Sequence, residues 1–208
     1  MNVAMDSSDS IDMTYAERPG FRNMSEFIDS SLQDCIVVSV AVNEAKWTAI
    51  QKAVVSLAPI GMSLVCSIRE LVRLGYIPAA RMLIRPLIER VATTEYLIQN
   101  PDAAERWNAG WSRKGRPTFA ALLSHLEKGH PDDYAIYQKF IVDDLNEVIH
   151  PDPFGDRRFL APNPVGQMVY WYDQVPSAYD LADSICAANM MAAVFFASQS
   201  KRAFIYTK

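Results

Sequence analysis

Apolar residues recur along most of this chain at intervals of three and four, the spacing of one face of an α-helix. The pattern predicts a helix starting after Asn23 or Ser25 and running to about Val42. A second is predicted over about Glu44 to Leu74, bent or broken near Pro59-Ile60-Gly61, where proline removes a backbone donor, and closed by Gly75 as its C-cap. A third covers about Pro78 to Ile98. Asn100 reads as the cap of a fourth, with Pro101 at its first position and Asp102 in its first turn, reaching about Trp111. Pro117 opens a fifth that runs to Lys128 and stops at Gly129. Pro131-Asp132-Asp133 opens a sixth, which ends at His150 because Pro151 follows. Ser177-Ala-Tyr-Asp180 has the form of a capping box, with Asp at its fourth position, and starts a last helix running to about Arg202.

Two segments depart from this pattern. Residues 1–22 read as a flexible or loosely docked arm. Residues 151–176 carry prolines at 151, 153, 162, 164 and 176, which rule out a continuous helix. Within them, Phe159-Leu160 and Met168–Tyr172 can pair as a short hairpin around Pro162-Asn163-Pro164. The expected fold is all-α: one domain over 23–208, a bundle of six to seven helices with a long Pro-rich loop before the last. Long loops in compact domains are often functional.

Composition narrows the class. Half of the 208 residues are apolar, enough for a sizeable core. Twenty basic residues against 24 acidic give a net charge of −4, which argues against a general nucleic-acid coat but leaves room for a local basic site. Cys35, Cys66 and Cys186 are widely spaced and odd in number, without a CxxC or zinc pattern, so they read as reduced core thiols of a cytoplasmic protein. Met1 to Met13 is acidic and Ser-rich, unlike a signal peptide. The charge-free runs Ala53–Ile68 and Ser184–Gln199 fall short of the roughly 18–20 apolar residues of a membrane span, so core helices are expected and no membrane contact. With three histidines and scattered carboxylates, neither a metal centre nor a cofactor is expected, and there is no Gly-rich phosphate loop or GxSxG elbow.

Three constellations can carry chemistry. On the helix at 79–98, Arg81, Arg85, Glu89, Thr93 and Tyr96 fall within about a third of the circumference, opposite Leu83, Leu87, Val91, Thr94 and Ile98. This stripe either faces water, with Arg85–Glu89 as an i,i+4 pair, or lines an inner cleft, where two arginines four apart clamp a phosphate or carboxylate. Pro86 favours the cleft slightly, because it frees the Met82 carbonyl. The second constellation is Asn146 and His150, one turn apart at a helix end. A histidine titrating near neutrality can take a proton from an RNA 2′-hydroxyl without metal, provided a neighbouring cation stabilises the charge that builds on the phosphate; otherwise it simply terminates the helix. The third runs from Arg106 through Trp107, Trp111, Arg113 and Lys114 to Arg116. Four cations and two tryptophans in eleven residues suit a single strand held by phosphate contact and base stacking. They equally suit a helix end whose indoles pack inward while its cations favour the negative terminus.

Two resemblances rest on these residues. Ala80-Arg81-Met-Leu-Ile-Arg85-Pro-Leu-Ile-Glu89, then Tyr96-Leu97, then Leu145-Asn146-x-x-x-His150-Pro151, resembles an uncharacterised bacterial helical domain family over about residues 40–200. That pattern is in turn similar to the HEPN superfamily (higher eukaryotes and prokaryotes nucleotide-binding), helical bundles that are often dimers and often ribonucleases of toxin–antitoxin and antiviral systems. Its signature is an Arg, a polar residue and then a His. Asn146 and His150 match the last two, but Leu145 stands where the Arg belongs, and the alternative frames supply Asp144 or Asp143. The resemblance implies an RNA-directed homodimer. His150 would be general base and acid, Arg85 with Arg81 the phosphate clamp, Glu89 would hold Arg85, Asn146 would orient the substrate or the imidazole, and Tyr96, Arg113, Lys114 and Arg116 would contact substrate. The alternative is a non-enzymatic helical module that binds a partner protein or a nucleotide, with the Arg81/Arg85/Glu89 stripe as a salt-bridge array.

Overall fold

A computed structural model describes residues 15–41, 47–112, 114–131, 134, 160–162, 168–170 and 176–204. They form an all-α bundle: α1 (Pro19–Ala41), α2 (Ala49–Arg73), α3 (Ile77–Gln99), α4 (Pro101–Asn108), α5 (Phe119–Gly129) and α6 (Pro176–Phe204). Between α5 and α6, β1 (Leu160–Pro162) and β2 (Met168–Tyr170) pair antiparallel, Leu160 opposite Tyr170, a short hairpin as expected, with Pro162 inside β1 opposite Met168 rather than in the turn. The predicted helix over 131–150 lies almost entirely outside the described residues.

Each boundary has a local cause. Thr48 caps α2 in a full capping box: its hydroxyl accepts from Gln51 N at 3.3 Å, and its own N–H donates to Gln51 Oε1 at 2.9 Å. The helix therefore starts later than the expected Glu44. It continues through Pro59 without a break, because Pro59 and Ile60 are exposed and water can satisfy the carbonyl that proline leaves free. At its end Gly75 adopts φ 79°; Gly75 N donates to Val72 O at 3.0 Å and Tyr76 N to Leu71 O at 2.8 Å, a Schellman closure. Asn100 does not cap α4 with its side chain. Its Nδ2 donates back to Tyr96 O at 2.8 Å, closing α3, while its backbone carbonyl starts α4 by accepting from Ala103 N and Ala104 N. Thr118, not Pro117, leads into α5, its hydroxyl accepting from Ala121 N at 3.2 Å. α6 already begins at Pro176, so Ser177 lies inside its first turn rather than ahead of it.

The first helix starts earlier than the expected position after Asn23 or Ser25. α1 begins at Pro19, a favoured first helical position, and buries Phe21 and Met24 in the core. Arg18 just ahead of it grips Asp183 of α6, with Nη2 at 2.6 Å and Nε at 3.3 Å. The same carboxylate lies so near Gly20 that a Cβ there would sit 2.8 Å from Asp183 Oδ1.

α6 packs against α1, α2 and α3, and α3 in turn against α2, α4 and α5 as well. Ile28, Val65, Ile68, Ile84, Val91 and Phe196 are among the side chains of the resulting core. α2 meets α6 at Gly61, where any Cβ would overlap the Phe196 ring. The segments Ala49–Arg73 and Leu181–Phe204 are long and apolar enough to cross a membrane by length and composition, longer than the charge-free runs alone suggest. In this fold they pack on each other and on α3. Among the described residues Cys35, Cys66 and Cys186 form no disulfide; burial, aided by Asp183, pushes the Cys186 thiol up to about 12 despite the opposing charge of Arg18, so it stays protonated.

Candidate ligand cleft

α3 does not carry a wet polar stripe. Helices pack around it, and the five polar residues of the stripe go to different places. Arg81 is fully buried and engaged. Arg85 is half-buried with its guanidinium 5.4 Å from the centre of the Phe119 ring, a cation–π contact with α5. Glu89 pairs with Arg116 rather than with Arg85, 27 positions away in sequence rather than four. Both sequence readings of the stripe assumed that Glu89 holds Arg85. α5 draws Arg85 aside, and the turn before α5 brings Arg116 to the carboxylate instead. Tyr96 lies behind the site: its ring centre is 6.3 Å from Trp111 and 4.8 Å from His125.

What the fold brings together is half of each of two constellations far apart in sequence. Leu57 of α2, Pro86, Glu89, Arg90 and Thr93 of α3, Trp107 of α4, and Trp111 and Arg116 of the following turn line one cleft of about 380 Å³. This lies in the range of small-molecule sites, about 300–1,000 Å³. α4 is the device that builds it. This helix, eight residues long, folds back on α2, and Asn108 Nδ2 donates to Ala49 O at 2.8 Å. Ala53, Leu57, Leu97, Ala103 and Ala104 form a small satellite core there, and Trp107 and Trp111 rest on it, partly buried, while lining the cleft. Gly110, at φ 89°, turns the chain between the two indoles in a conformation that side chains disfavour.

The walls differ in chemistry. One is apolar and aromatic: Leu57, Pro86, Trp107 and Trp111. The other is a charged edge of α3, where Glu89 and Arg90 are consecutive and Thr93 follows one turn on. The Arg90 guanidinium makes no ion pair or hydrogen bond among the described residues, whereas Arg116 is partly neutralised by Glu89. An aromatic ring with an anionic group attached fits such a surface: the ring stacks on indole, and the anion meets Arg90.

Of the other expected contacts, Lys114 is exposed beside the cleft without lining it, and Arg113, Asn146 and His150 lie outside the described residues. Among the described residues no group of three or more His, Cys, Asp or Glu side chains converges as metal ligands would.

Two features escaped the sequence. Arg90 carries the open charge of the cleft, yet it falls off the stripe that held the other polar residues. Glu95, only 1% exposed, is the hub of a buried polar network. Arg202 Nη1 donates to both of its oxygens at 2.9 Å, Gln99 Nε2 donates at 2.8 Å and Gln199 Nε2 at 3.3 Å. His130 Nε2 stands 3.5 Å from the same carboxylate, its ring edge-on to Phe195 at 4.9 Å. Burial alone would raise the Glu95 pKa, but the hydrogen bonds and charge of Arg202, with those of Gln99 and Gln199, outweigh it and hold the carboxyl below its ordinary range. The available signal was its setting, a single charge in the otherwise uncharged second half of α3, Val-Ala-Thr-Thr-Glu-Tyr-Leu-Ile-Gln. This network joins α3, α6 and the end of α5, and its Glu95 carboxylate is buried away from solvent.

No protein-family model matches the chain, and neither a curated protein nor a solved structure matches it.

Proposed function

We propose that this protein binds a nucleotide unit, free or within single-stranded RNA, in the cleft between α3 and α4. The base stacks on Trp107 and Trp111, and the phosphate meets Arg90. The observation that carries this reading is the convergence, on one cleft of about 380 Å³, of two partly buried indoles and an arginine whose guanidinium has no partner among the described residues. The reading takes up the nucleotide-binding part of the expectation, with Arg81 and Arg85 outside the lining of the cleft. The reading is one of binding: among the described residues that line the cleft, Glu89 is the carboxylate, and it is paired with Arg116.

The test follows the indoles directly. Titration with adenosine 5′-monophosphate and with a short oligoadenylate should quench tryptophan fluorescence saturably. Trp111→Ala should weaken binding about tenfold, since stacking of one base contributes about 1–3 kcal/mol. Arg90→Ala should weaken it comparably while leaving the melting temperature unchanged, because the Arg90 side chain holds no other side chain among the described residues. Unaltered affinity in both variants, or no saturable quenching in the wild type, would remove the cleft from consideration.

A further inference from the structure

The charged edge of the cleft orders its ligand. Glu89 and Arg90 are adjacent on α3 and both line the cleft, so an anion and a hydrogen-bond donor are each wanted, side by side. A phosphate cannot settle against the Glu89 carboxylate and is steered to the open Arg90. Whatever lies next to the phosphate then faces Glu89. That carboxylate accepts hydrogen bonds and donates none; its side chain is 30% exposed, and Arg116 meets one of its two oxygens, Oε1. In a nucleotide the group between phosphate and base is the sugar, and ribose presents hydroxyl donors there. Thr93, one turn beyond Glu89, adds a hydroxyl to the same edge.

We propose that Glu89 is the specificity-determining residue of the cleft, accepting hydrogen bonds from ribose hydroxyls so that ribonucleotides are selected over deoxyribonucleotides. The inference rests on the nucleotide-binding reading above. Arg116 is a positioning residue that fixes the Glu89 carboxylate. Loss of the 2′-hydroxyl leaves part of that carboxylate dry and unmatched when the base is stacked, and hydrogen bonds to charged groups are among the stronger ones.

The experiment compares adenosine 5′-monophosphate with its 2′-deoxy counterpart on the full chain by isothermal titration calorimetry. The wild type should favour the ribonucleotide about tenfold. Glu89→Ala should bring the two within about twofold, with the deoxynucleotide bound at least as well as before because a repelling charge has gone. A merely structural role for Glu89 predicts something else, equal weakening of both ligands with their ratio preserved. That result, or equal affinities in the wild type, overturns ribose selection and leaves nucleotide binding standing. If neither nucleotide binds the wild type, nucleotide binding itself fails and ribose selection fails with it.

Discussion

Arg202 reaches from α6 to place a single nitrogen, Nη1, 2.9 Å from both carboxylate oxygens of Glu95, a group only 1% exposed on α3. Gln99, Gln199 and His130 complete its surroundings, so the charge is paired on every side that matters. Such a network holds the register of α3 against α6. It also makes the fold sensitive to acid in a definite direction.

Glu95 in the folded state titrates below its ordinary value of 4.5. Its contribution to stability is therefore fully present above that value and is lost as pH falls through the depressed folded one. Urea unfolding between pH 3 and 7 should show a midpoint that is flat with respect to this group near neutrality and drops below about pH 4.5. Arg202→Ala should cost about 2–3 kcal/mol at pH 7, the low end for breaking a buried pair because Arg202 is itself 35% exposed. The variant should also lose part of the acid slope, since the carboxyl then has less reason to stay ionised. A slope identical to that of the wild type would mean that another group governs acid unfolding.

The contact between Gly61 and Phe196 yields a second prediction. Alanine in the middle of a helix is favoured over glycine by about 1 kcal/mol. Here the added methyl would overlap the Phe196 ring, and α2 and α6 must separate to accept it. Gly61→Ala should therefore destabilise by about 1–3 kcal/mol despite its better propensity. Combining it with Phe196→Leu should recover part of that loss, because the leucine leaves room for the methyl. Thermal melts of the two single variants and the double variant measure the coupling, and strict additivity would deny the contact.

The bundle was legible because prolines and glycines punctuate it. Pro101, Gly75 and Gly129 mark ends that local backbone chemistry enforces whatever the tertiary setting. The pairing of Leu160 with Tyr170 was expected from the turn residues between the two short apolar runs. The capping box of Thr48 and Gln51 was equally local and equally visible, but the apolar pattern around it ran on toward Glu44 and masked it. What periodicity could not convey is how many sides of a helix are covered. A polar stripe on a helical wheel implies one wet face, yet α3 has α2, α4, α5 and α6 around it, and Arg81 and Glu95 are buried against the usual preference of charged residues. Nor could spacing bring Arg116 to Glu89, since that pairing depends on α4 folding back across α2. Each half of the cleft was recognisable by composition, and their meeting was a property of tertiary structure alone.

Arg85 separates the two arrangements by experiment. The clamp read from the sequence requires it, whereas in the fold it lies over Phe119 and outside the cleft. Arg85→Gln should leave nucleotide affinity within about twofold of the wild type. It should cost roughly 0.5–1 kcal/mol of stability, from the lost cation–π contact. A tenfold loss of affinity at unchanged stability would return the phosphate contact to Arg85 and displace Arg90 from that role.

Salt dependence gives the sharpest measure of how much of the binding is electrostatic. Single-stranded nucleic acid releases counterions in proportion to the phosphates a protein neutralises, with a slope of about −0.7 in log K against log salt for each. The cleft offers one open cation, Arg90, and one shared with Glu89, Arg116. A short oligoadenylate should therefore give a slope between about −0.7 and −1.4. Arg90→Ala should lower its magnitude by about 0.7, and Glu89→Ala should raise it by a similar amount, as Arg116 becomes available to a phosphate. The acidic balance of the whole chain, net −4, disfavours further phosphate contacts elsewhere. A slope of about −3 or steeper would require four or more neutralised phosphates. The principal nucleic-acid surface would then have to include exposed cations such as Arg106 and Lys114, which do not line the cleft.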